Sequence, residues 1–145
     1  MPDRRILPAI AAAFLLLCTA AAFAASPVTA SGAWIRLLPG DLPLAGYVTL
    51  HNRTRHELRV VGATSRDFDH IEMHHSMHMS GMEKMTPVKA VTVPAGSTFQ
   101  FAPGGYHLMM WRKHDLKIGN QVPVTLQFAN GSRTTITFIV KGPTQ

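Results

Sequence analysis

From about residue 33 onward the chain is a succession of short β-rich runs, each ended after a few residues by Gly, Pro or polar turn residues. No stretch carries the longer 3.6-residue periodicity of an amphipathic helix. Residues 33–38, 45–50 and 57–61 come first. Val91–Val93, Thr98–Phe101, 122–128 and 134–140 follow, set apart by Pro94-Ala95-Gly96, Pro103-Gly104-Gly105, Gly119-Asn120 and Asn130-Gly131. Asn130-Gly131, between two alternating runs, is the clearest hairpin signal. Regularly spaced strands without intervening helices predict an all-β fold, a sandwich or Greek-key barrel, in a single domain over about residues 26–143.

The amino terminus reads as a leader rather than as part of that domain. Asp3-Arg4-Arg5 makes a short basic region, residues 6–22 are almost wholly apolar, and Ala22-Phe23-Ala24 fits an A-x-A cleavage site. A secretory signal peptide over residues 1–24 and a periplasmic domain over residues 25–145 are the expectation. A retained anchor fits less well, since about 17 apolar residues is the lower limit for spanning a bilayer and no stop-transfer flank follows. Cys18, the single cysteine, lies inside this leader. Leu17 stands before it where lipid-modifying cleavage normally needs a small residue. Cleavage after Ala24 leaves a thiol-free protein, which excludes disulfide frameworks, thiol redox catalysis and thiolate metal sites.

Charge excludes less. The net charge of +6 is modest, its lysines and arginines are scattered, and no nucleic-acid motif accompanies them, so the basic balance implies solubility and steering toward an acidic partner.

One stretch departs from ordinary composition. Four histidines and five methionines lie between Asp69 and Met85, and His107 and Met109 follow in Y-H-L-M-M-W. Singly, a methionine is a gap-filler of cores and a histidine an idle surface residue. Core packing does not explain why seven of the eight methionines fall between Met73 and Met110 and six of the eight histidines between His70 and His114. Thioether sulfur is soft, uncharged and indifferent to pH, and with imidazole it favours Cu(I) over hard cations. In an extended strand His107 and Met109 share one face, with Trp111, while Leu108 and Met110 face the core. His70, Glu72 and His74 share a face in the same way, opposite Ile71 and Met73, and the residues after His75 read as a loop. Glu72 is then either an exposed strand carboxylate or a partner that orients His74. His51, His56 and His114 read as surface histidines. No Ser/His/Asp arrangement and no paired carboxylates stand out, so the reading is a metal carrier and not an enzyme.

His74, Met85, His107 and Met109 reproduce the spacing H-x10-M-x21-H-x-M, and by it the chain resembles the periplasmic PCu(A)C copper chaperones. Ala33-Trp34-Ile35-Arg36, Gly46-Tyr47, Lys84-Met85, Pro87-Val88, Pro94-Ala95-Gly96 and Pro103-Gly104-Gly105-Tyr106-His107 extend the likeness over most of the mature chain. The resemblance implies a cupredoxin-like β-barrel holding one Cu(I) per chain at His74, Met85, His107 and Met109. It also implies delivery for cytochrome c oxidase copper-centre assembly, to the oxidase copper-binding subunit or to a thiol-containing assembly factor. A periplasmic copper storage or resistance protein, a buffer without a dedicated acceptor, is the alternative. His75, Met77, His78, Met79 and Met82 make the segment between the first two motif positions unusually rich in donors, which allows a weaker second copper in a 75–82 loop.

Overall fold

The computed structural model describes residues 26–144; the leader segment, with Cys18, lies outside the described residues. Ten strands follow one another: β1 Val28–Arg36, β2 Leu44–Asn52, β3 Leu58–Thr64, β4 Phe68–Met79, β5 Met82–Pro87, β6 Val91–Val93, β7 Thr98–Phe101, β8 Tyr106–Arg112, β9 Gln121–Phe128 and β10 Arg133–Lys141. There is no helix among the described residues. The sheet runs β4-β8-β2-β1-β10-β9-β3, and the pairing of Ala63 in β3 with Ile71 in β4 closes it into a seven-stranded barrel. The three remaining strands attach to this ring, β5 on β4, β6 on β3 and β7 on β2. Most neighbours in the barrel are not consecutive in sequence, as in a Greek key, and β1 with β10 is a parallel pair. The all-β expectation is met.

Alternation builds the interior. Val122, Val124, Leu126 and Phe128 of β9 point inward, as do Ile136, Phe138 and Val140 of β10, and the residues between them, Thr125, Gln127 and Thr137 among them, face out. Ile35, Leu50, Val60, Leu108, Met110 and Phe138 are wholly enclosed, and the core is assembled mainly from such apolar side chains.

Two local readings change. β1 begins at Val28, five residues before the run seen in the sequence, because a bulge between Ser31 and Trp34, with Gly32 at φ 59°, breaks the alternation that marks a strand. The 75–82 segment is not a loop. β4 continues to Met79, Ser80-Gly81 forms a two-residue turn with φ of 50° and 80°, and β5 starts at Met82. Positive φ at both central residues is the type I′ hairpin turn, whose twist matches that of the strands it joins. The Asn130-Gly131 hairpin exists, but as a wider connection in which Asn130 Oδ1 accepts a bond from the Ser132 amide.

Candidate metal centre

Strand register assembles the site. β4 and β8 run antiparallel with His74 opposite His107 and Glu72 opposite Met109; β5 brings Met85 opposite Ser76, and β2 brings Ala45 opposite Met109. Directly opposed residues share a face, so His74, Ser76, Met85, His107 and Met109 all lie on the outer side of the barrel wall. Met73, Leu108 and Met110 fill the inner side, as the alternation of the sequence requires. β2 closes on β8 at Gly46, where an added Cβ would stand 2.7 Å from the Met110 methyl and 3.3 Å from Leu108 Cβ. That glycine sets the spacing of the strand that carries His107 and Met109.

The two histidines are held with one nitrogen of each free. His74 Nε2 lies 2.9 Å from a Glu72 carboxylate oxygen. A carboxylate only accepts, so Nε2 carries the proton and Nδ1 is left with its lone pair. That Nδ1 is buried and has no hydrogen-bond partner. His107 Nδ1 lies 3.2 Å from the Gly105 carbonyl and donates to it, which leaves Nε2 as the unprotonated nitrogen. The ring centroids are 5.8 Å apart. His107 is only 5% exposed, and burial holds its pKa below the ordinary histidine value, against the Gly105 bond and with help from the neighbouring His74. Two imidazoles oriented by second hydrogen bonds, one with an orphaned buried lone pair, suit a metal ligand set.

Beside the pair opens a cleft of ≈ 160 Å³ lined in part by Met85, His107 and Met109, with Arg36, Tyr47 and Glu83 on its other walls. His74 stands beyond this lining, joined to the group through His107. Met85 is 50% exposed, so its side chain is only half covered by the wall. Arg36 and Tyr47 belong to a small stack: Trp34 and Tyr47 have centroids 4.8 Å apart, and the Arg36 guanidinium lies 5.5 and 5.2 Å from the two ring centres. Burial raises the Tyr47 pKa against the pull of Arg36, so the phenol remains neutral. Tyr47 and Arg36 were visible only as parts of the Gly46-Tyr47 and Trp34-Ile35-Arg36 matches. Their place on the cleft wall comes from the β1–β2 register and left no chemical signal in the sequence.

The remaining polar groups sort as follows. Glu72 is half-exposed and also bonded to His74, so both of its readings describe it. Trp111 stacks on His70, centroids 4.1 Å apart, at the flank of the site. His51 bonds Thr98 and His114 bonds Asp67, both away from the cleft. The donor-rich segment is divided by its hairpin: His78 faces the same way as His74, whereas His75, Met77, Met79 and Met82 face the reverse. Among the described residues no group of three or more His, Cys, Asp or Glu side chains is placed to hold a metal. The softer donors beside the two imidazoles are the thioethers of Met85 and Met109, which line the same cleft as His107.

Known proteins share this framework. A family model of LpqE-like lipoproteins matches residues 28–140. A protein of Leifsonia xyli subsp. xyli (strain CTCB07) named as a lipoprotein, Lxx21020, is 35% identical over 119 residues, 81% of this chain and 71% of that one. Among solved structures, the solution structure of CuI-DR1885 from Deinococcus radiodurans is 30% identical with a TM-score of 0.65, covering 84% of this chain and 83% of its own. The copper-bound PCuAC domain from PmoF2 shares the fold at 24% identity, with a TM-score of 0.67 over 83% of this chain and 97% of that domain.

Proposed function

The chain belongs to the LpqE-like family of PCuAC-type proteins, and on that premise we propose that it is an exported carrier of Cu(I). It holds one ion per chain at His74, Met85, His107 and Met109 and passes it on for cytochrome c oxidase copper-centre assembly. The observation that carries this reading is the buried, unpartnered Nδ1 of His74 set beside His107 on a wall that also bears Met85 and Met109. An unsatisfied buried nitrogen costs free energy in the apo protein unless something binds it, and a metal ion does so. The Cu(I)-bound state of DR1885, 30% identical to this chain, supports the same choice of ion. We read the role as carriage without catalysis, in keeping with the copper-binding names of the matched solved structures.

Delivery follows from ligand strength. A thiolate binds Cu(I) more strongly than a neutral thioether, so transfer from this site to a thiol-bearing acceptor runs downhill. The half-exposed Met85 is the ligand an incoming thiolate displaces first. Mixing Cu(I)-loaded protein with the apo copper-binding domain of an oxidase subunit, and following both by NMR, tests delivery. Copper appearing on the acceptor supports it; copper retained by the donor makes this protein a buffer.

Export rests on the leader and on the lipoprotein names of its relatives. With Leu17 ahead of Cys18, the reading is a soluble periplasmic domain over residues 25–145, freed by cleavage of residues 1–24. The intact mass of the exported protein decides it: a mass beginning at Ala25 or Ser26 fits, and one that retains Cys18 with lipid places the domain on a membrane.

A further inference from the structure

Past His75 the β4–β5 hairpin leaves the barrel. β8 pairs with β4 only as far as His75 opposite Tyr106, with one more bond from the Ser76 amide to the Gly105 carbonyl. From there to the turn the two strands have each other alone, and alternation sorts their donors. His78 and Glu83 face the His74 side, and Met77, Met79 and Met82 face away from it. Met79 lies directly opposite Met82 across the pair that closes the turn, and Cα atoms so paired are about 4.5 to 5.5 Å apart. Met77 is two residues along the same face, about 6.6 Å away, with Lys84 directly opposite it on a long stem that can carry the ammonium out to water. Each methionine side chain has three rotatable bonds, enough for the three sulfurs to meet over one point. Met79 is 59% exposed and Met82 72%, so neither is filling a core. His75 shares the face, but its ring lies flat on Tyr106, centroids 4.1 Å apart, which keeps it at the barrel rim.

The geometry points to a second soft-cation site, made by the thioethers of Met77, Met79 and Met82 on the hairpin face opposite His74 and His107, that takes Cu(I) or its closed-shell analogue Ag(I). Three neutral sulfurs give nothing to a hard divalent ion. Because the two sites lie on opposite faces, neither can borrow the other's ligands without a register slip that would turn every hairpin side chain over. The hairpin site lacks imidazole and lies open to water, so it is the weaker of the two and fills second. It stands independently of the copper assignment at His74, Met85, His107 and Met109.

Titrating Ag(I) into the mature protein labelled at its methionine methyl groups, with resonances assigned by single Met→Leu variants, tests the two sites together. The methyls of Met85 and Met109 are expected to move over the first equivalent, and those of Met77, Met79 and Met82 over the second. The triple variant Met77→Leu, Met79→Leu, Met82→Leu keeps the volume of an exposed tip, and should retain the first equivalent and lose the second. In His107→Ala the three hairpin methyls should still shift. Hairpin methyls that stay still through several equivalents, or a triple variant that still binds two, overturn the second site. Hairpin methyls that shift while Met85 and Met109 never do would uphold it and overturn the assignment of the first.

Discussion

At the scale of single residues the site depends on which nitrogen of each histidine is free. The Glu72 carboxylate fixes the His74 ring by holding its Nε2 proton. Glu72→Gln, which keeps the shape and removes the charge, should weaken Cu(I) affinity by about tenfold, the lower end of what lost outer-sphere partners cost, because Glu72 is half-exposed. His107→Ala should cost at least as much, about 1.4 kcal/mol per tenfold, in a competition titration against a Cu(I) chelator. Equal affinity in both variants and wild type would remove these residues from the site. Burial also gives His107 a pH signature in the apo protein. Its folded pKa lies below the unfolded value of about 6.5, so the unfolded chain takes up the proton first. The stability that neutral His107 contributes is whole above that value and is lost as pH falls from there through the lowered folded pKa. Melting temperatures of wild type and His107→Asn between pH 7.5 and 5 should therefore diverge at neutral pH and converge in acid, and a constant offset would contradict the assignment.

At the scale of elements the decisive piece is the β4–β5 hairpin, and here legibility in the sequence was uneven. The inward and outward parity of β8 could be read directly, because Leu108 and Met110 interleave with His107 and Met109 and only one arrangement buries the apolar pair. The hairpin was unreadable by the same rule. Once β4 passes β8 neither of its faces is barrel core, and Ser76 and His78 on one face alternate with Met77 and Met79 on the other, donors on both sides that give no contrast of buried apolar against exposed polar. The turn signal was weak as well, since Ser80 stands where Asn or Asp usually marks a type I′ turn. Gly81 is the residue that geometry requires: at φ 80° a side chain is strained even though nothing crowds the position. Gly81→Ala should lower stability by about 1 kcal/mol and loosen the pairing that places Met85 opposite Ser76. Thermal melts and Cu(I) affinity should fall together in this variant, and a melt lowered with affinity untouched would show that Met85 is not held by the turn.

At the scale of the whole molecule, the barrel and the proposed metal site are separable. Motif spacing could not reveal how residues more than thirty apart in sequence, His74 and His107, come face to face; that required the β4–β8 pairing, a non-local contact that composition does not encode. The closed barrel around Phe138, Ile35, Leu50 and Leu108 needs no ion to hold it. Apo protein should unfold cooperatively, and Phe138→Ala should cost about 3–5 kcal/mol with or without copper. A chain that folds only when metal is added, as zinc fingers do, would contradict this independence. The central claim is a Cu(I) ion shared by two imidazoles and two thioethers on the outer wall of that barrel. X-ray absorption at the copper edge of protein loaded with one equivalent of Cu(I) tests it most directly. The account requires a monovalent edge with both sulfur and imidazole scatterers, the imidazole contribution reduced in His107→Ala and the sulfur contribution reduced in Met109→Leu; a shell of nitrogen and oxygen alone, or one unchanged by either substitution, would contradict it.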